Sequence, residues 1–111
     1  MSVSIQNKKQ LGLTIRKQRI KEEKTLRKLA AVCEISPASL SDIENGVLFP
    51  GVKTFLNIVE TLNFNDKSSI CDLYARLKET APPDIIDFLA KNEAAVSEVR
   101  LLMNKGKEVG E

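Results

Sequence analysis

The chain has 111 residues and a formal net charge of +2, enough for one domain with an appendage and too little for two full domains. Hydrophobic residues make up 42% and charged residues 29%, the balance of a folded globular protein rather than a disordered one. There is no histidine, so Ser-His and Cys-His catalysis are excluded for want of the base.

The two cysteines, Cys33 and Cys71, have no partner at metal-binding spacing, and they read as small buried hydrophobes. No metal and no cofactor is expected. No apolar run approaches the roughly 18–20 residues needed to cross a bilayer, and MSVSIQNKKQ has no hydrophobic secretory segment. A cytoplasmic location with no membrane partner is expected. The charge is unevenly spread. Residues 1–53 carry ten Lys and Arg against five Asp and Glu, and residues 54–111 carry seven against ten. A basic front and an acidic rear are what a nucleic-acid footprint on one face produces.

Aromatics are four Phe and one Tyr, so the core must be built from Leu, Ile, Val and Ala. Helical spacing runs through nearly the whole chain and strand alternation appears nowhere. The spacing predicts a first helix over 8–24, with Leu11, Ile15 and Ile20 inward. Thr25 caps a second over 26–33, whose inner face is Leu26, Leu29, Ala30 and Cys33. Ser36 caps a third over 37–45, with Pro37 at the first position, Leu40 and Ile43 inward, and Gly46 as a left-handed stop. Two helices joined by a three- or four-residue turn have a helix-turn-helix layout. A fourth helix over 52–62 buries Phe55, Ile58, Val59 and Leu62. A fifth over 67–79 aligns Ile70, Leu73, Tyr74 and Leu77, and Pro82-Pro83 ends it.

Residues 80–111 read as a tail outside the domain of residues 8–79. Asp84 is placed to cap a short helix and Asn92 a second one over 93–104. Positions 85, 89, 92, 96, 99 and 103 also follow heptad spacing, so one continuous helix is the alternative. The closing KGKEVGE is expected to fray.

The stretch Leu11 to Leu73 resembles the lambda-repressor-like, or XRE-type, helix-turn-helix family. The resemblance rests on Ile15-Arg16 and Arg19, on Leu29-Ala30, on Ile35-Ser36 with Leu40-Ser41-Asp42-Ile43-Glu44-Asn45-Gly46, and on Pro50, Leu56, Ile58 and Leu62. It implies an all-α fold, a five-helix DNA-binding bundle with a C-terminal helical extension, in a bacterial or phage regulator that is not an enzyme. It also implies that the third helix enters the major groove of double-stranded DNA while neighbouring helix ends clamp phosphates.

On that reading the base-contact candidates are Ala38, Ser39, Ser41 and Asp42, the last accepting from a cytosine amine or else pairing with a nearby Lys or Arg. The phosphate candidates are Arg16, Thr25, Leu26, Arg27, Lys28, Asn45 and Lys53. Arg19 and Glu44 fall where the family ties its first helix to the end of its third by an ion pair; the alternative is two solvated charges. Leu26, Glu34, Pro37 and Ala38 depart from the family pattern, which implies fewer direct base contacts. Glu34 replaces a turn glycine.

The implied function is a sequence-specific transcriptional repressor acting as a homodimer. The tail offers Ile85, Ile86, Phe88, Leu89, Val96, Val99 and Leu102 as a dimer surface, or as helices folded back on the domain. A reading of another class is a protein-interaction module, an antitoxin or anti-repressor component whose tail binds a protein partner.

Overall fold

Polar side chains placed just ahead of apolar-periodic stretches set where the helices begin. The computed structural model describes residues 3–109, with side chains as far as Lys105. Seven helices are present among the described residues, and no strand: α1 (Ile5–Lys21), α2 (Leu26–Val32), α3 (Pro37–Glu44), α4 (Val52–Thr61), α5 (Lys67–Lys78), α6 (Pro83–Ala90) and α7 (Glu93–Val109). Thr25, Ser36, Asp66 and Asn92 accept the N–H groups of Lys28, Ser39, Ser68 and Ala95 at 3.0–3.2 Å, each satisfying a donor the helix itself leaves open. Ser4 does the same for Asn7 at 3.1 Å, which is why α1 starts at Ile5 and not at residue 8. The helix expected behind an Asp84 cap starts at Pro83. Pro82 stands at the cap position, and Asp84 lies inside the first turn.

The helix ends use the left-handed region. Gly46 follows α3 at φ 75°, while Glu23, Glu34 and Glu79 take φ 56°, 59° and 58° after α1, α2 and α5. After α1 and α2 the paired bonds of a Schellman turn close the helix: Glu23 N–H to Ile20 and Lys24 N–H to Arg19, Glu34 N–H to Ala31 and Ile35 N–H to Ala30. The first helix therefore stops at Lys21, short of residue 24.

Leu11, Ile15, Leu29, Ala30, Leu40, Ile43, Phe55, Ile58, Leu62, Ile70, Tyr74 and Leu77 close into one core. Ile20, expected inward, is 54% exposed. It lies five residues beyond Ile15, about 140° round the helix, while Arg19 and Glu22 reach the neighbouring elements. Tyr74 stacks beside Phe49 and Phe55, with centroids 4.9 and 4.5 Å away, and its hydroxyl donates to the Pro50 carbonyl at 2.8 Å. This joins α5 to the loop that leads from α3 to α4. Both cysteines are buried, and burial pushes both thiols up.

The tail is not one continuous helix, because the helical backbone is interrupted at Lys91 and Asn92. α6 folds back on α4 and α5, and α7 packs on α6. Where a frayed end was expected, α7 continues to Val109; Gly110 and Glu111 lie outside the described residues. The radius of gyration is 16.2 Å and the extents are 52 × 27 × 23 Å. A compact chain of about 100 residues has a radius near 13 Å, so the molecule is drawn out along one axis.

Candidate nucleic-acid interface

The short α3 is held from behind by apolar side chains and from its end by charge. Leu40 and Ile43 are fully buried, and Gly12 of α1 lets the backbone of α3 come close: a Cβ there would collide with the Ile43 carbonyl and stand 2.7 Å from that of Glu44. Arg19 grips Glu44 with two parallel bonds, Nε to Oε2 at 2.7 Å and Nη2 to Oε1 at 2.9 Å, and gives its remaining Nη1 to the Lys24 carbonyl at 2.8 Å. The pair is mostly removed from water, and the bond from Arg19 to Glu44 holds the guanidinium above its ordinary pKa. Burial thus leaves Glu44 satisfied rather than stranded.

The opposite side of α3 faces solvent. Ala38, Asp42 and Asn45 are exposed, whereas Ser39 and Ser41 are half-buried. The Ser39 hydroxyl accepts from that of Ser36 at 2.9 Å, and the Ser41 hydroxyl accepts from Asn45 Nδ2 at 3.2 Å. Asp42 forms no ion pair among the described residues. Its backbone carbonyl accepts from Val47 and Leu48, fixing the loop that follows.

Arg16 on α1, Arg27 and Lys28 on α2 and Lys53 on α4 are exposed, with no ion pair among the described residues. Thr25 is exposed and Leu26 half-buried at the start of α2, where Leu26 packs against the core. The Thr25 hydroxyl accepts from the Lys28 N–H, which leaves its own O–H and the first backbone N–H groups of α2 as donors for an anion there.

A helix-turn-helix family model matches residues 15–65, the span from the middle of α1 through the whole of α2, α3 and α4. Those residues form a helix-turn-helix domain of the XRE, lambda-repressor-like type. No curated protein and no solved structure matches the chain. DNA is the partner that this helix-turn-helix domain implies, and the family is typically non-catalytic. No helix among the described residues is long and apolar enough to cross a membrane.

The helix-turn-helix domain draws on residues beyond the matched span. Gly12 sets the approach of α1 to α3, and Asn7 Nδ2 donates to the Leu77 carbonyl at 3.0 Å, tying α1 to α5. Neither stood out in the sequence. A glycine inside a helical pattern is the one signal that could have found Gly12, because it is otherwise unfavourable there by about 1 kcal/mol.

Proposed function

We propose that the chain is a sequence-specific transcriptional regulator, a repressor that binds a palindromic operator as a dimer with α3 in the major groove. The observation that carries this reading is the division of α3. Leu40, Ile43 and Glu44 anchor one side, and the other presents Ala38, Asp42 and Asn45 to solvent with an unneutralised carboxylate among them. A major groove about 12 Å wide admits such a helix.

In this reading Ala38 meets a thymine methyl, Asp42 accepts from a cytosine N4 amine, and Ser39 and Ser41 make permissive contacts through their hydroxyls. Asn45, Arg16, Arg27, Lys28 and Lys53 meet phosphates, as do the first N–H groups of α2 at Thr25 and Leu26. Residues 8–79 form the DNA-binding domain and residues 80–111 the assembling tail.

Selection of preferred sites from a random duplex pool tests the assignment. The Asp42→Ala variant is expected to lose the preference at one base pair in each half-site, at a cost of about tenfold in affinity for the best site. Arg27→Ala is expected to weaken binding to all sequences alike and to flatten the salt dependence by about one phosphate contact. An Asp42→Ala variant that selects the same site with the same strength contradicts base reading by α3.

A further inference from the structure

Where α6 folds back on α4, the two helices leave an open groove of about 470 Å³ between them, a volume within the range of small-molecule sites. Its floor is apolar. Val52 and Leu56 of α4 and Ile86 of α6 are half-buried there, and the small Ala90 leaves room above them. Its rims are polar, with Lys53, Asn57 and Glu60 along α4 and Asp87 and Lys91 along α6.

The two rims differ. Asp87 and Lys91 pair with each other at 3.2 Å, and their charges cancel. Neither Lys53 nor Glu60 has an ion pair among the described residues. Steps of four and three set Lys53, Asn57 and Glu60 in one line along the helix. That line runs from a cation through a neutral amide to an anion. At about 1.5 Å per residue, its two charges stand about 10 Å apart along the axis.

This order selects the ligand. Glu60 repels a simple anion and Lys53 a simple cation, whereas a zwitterion with about 10 Å between its charges meets both. An extended peptide covers about 3.3–3.6 Å per residue, so three residues span the distance. The terminal carboxylate then falls at Lys53, the terminal ammonium at Glu60 and a peptide group at Asn57. Apolar side chains descend to Leu56 and Ile86.

We propose that the groove between α4 and α6 binds a short apolar peptide with free ends, and that the peptide draws Lys53 away from DNA. The binding site stands on the groove alone. The release of DNA rests on the phosphate contact assigned to Lys53 above. Peptide and DNA compete for one ammonium, so each weakens the other by the same factor.

Calorimetric titration of the full chain with trileucine, without DNA, tests the site. Saturable one-to-one binding with a Kd below about 1 mM is expected. Acetylating the amine of the peptide, amidating its carboxyl, Lys53→Gln and Glu60→Gln are each expected to weaken it about tenfold. Lys53→Glu with Glu60→Lys is expected to restore binding, the peptide lying the other way round. Ala90→Phe fills the groove from an exposed position and is expected to abolish binding at an unchanged melting midpoint.

Absence of binding up to about 10 mM trileucine overturns the proposal. Binding that ignores the blocked ends, or a charge exchange that fails to restore it, overturns the zwitterion match. With saturating trileucine, affinity for the duplex selected from the random pool is expected to fall about fivefold in the parent and not in Ala90→Phe. Peptide binding that leaves DNA affinity unchanged overturns the release of DNA. A chain that binds the peptide as described and binds no DNA contradicts the regulator alone.

Discussion

A methyl group on Gly12 would meet the backbone of α3 head on, at the Ile43 and Glu44 carbonyls. On an open helix surface, glycine to alanine is stabilising by up to about 1 kcal/mol. Here the clash is with backbone and not with the end of a flexible side chain, and overpacking of this kind costs about 1–3 kcal/mol. Gly12→Ala is therefore expected to lower the urea midpoint rather than raise it, and to weaken DNA binding by shifting α3. A raised midpoint would contradict the close crossing.

The Arg19–Glu44 pair is the other single contact on which α3 depends. Its side chains are 14% and 4% exposed, so it counts as buried, and removing one partner leaves a charge that the interior cannot solvate. Glu44→Ala is expected to cost about 3–5 kcal/mol, harming folding before recognition. An unchanged melting temperature would contradict that.

Between helices, the turns carry strain that composition hides. Glu34 joins α2 to α3 at φ 59°, a conformation that costs a residue with a Cβ about 1–2 kcal/mol. Glycine relieves this and gives back about 0.4–1 kcal/mol through the freer unfolded chain, so Glu34→Gly is expected to stabilise the domain by up to about 1 kcal/mol in urea unfolding. A loss of stability would mean that the Glu34 side chain holds the turn in some other way.

The end of α1 is joined to the loop after α4 through Glu22, which accepts from Gln18 and from the Asn63 N–H at 2.8 Å each and pairs with Lys24 at 3.3 Å. Burial pushes the Glu22 carboxyl up, but the bonds from Gln18 and Asn63 and the Lys24 ammonium outweigh it and leave it below its ordinary value. The bond from Ser69 lowers Asp66 likewise. A depressed folded value means that both contributions are fully present above the unfolded values of about 3.9–4.3 and fade as pH falls through the lower folded ones. Stability is thus expected to drop below about pH 4, with a shallower drop in Glu22→Gln. An identical acid limb in that variant would contradict the role of the clamp.

At this scale the bounds of α2 to α5 were legible to within a residue, while both ends of α1, the start of α6 and the end of α7 were not. Thr25, Ser36, Asp66 and Asn92 announce their caps by residue type. Glu23, Glu34 and Glu79 adopt the left-handed turn without the glycine that would advertise it, and with the Ser4 cap this places α1 three residues earlier than it was read, at the same length. The outward side of α3 followed from the spacing of Leu40 and Ile43. The partial burial of Ser39 and Ser41 did not, because it depends on hydroxyl and amide bonds to Ser36 and Asn45. The tail was open between a folded-back arrangement and a free surface, and it contains both: α6 is folded back and the end of α7 is not.

Over the whole molecule, the excess of ten cationic over five acidic residues in positions 1–53 coincides with α1 to α3 and the start of α4. The acidic excess falls on the elements that follow, α6 and α7 included. Such a division draws a polyanion to the helix-turn-helix end and away from the acidic remainder. Its thermodynamic signature is counterion release, because each neutralised phosphate adds to the steepness with which affinity falls as salt rises.

The most direct test of the central claim is a titration of the full chain against the DNA upstream of its own gene, with a random duplex of equal length as reference, at about 50 and 200 mM salt. Binding to the upstream DNA that is tighter by about 10³ or more and falls steeply between the two salt concentrations is the predicted result. Equal and weak binding to both duplexes at both concentrations would contradict it.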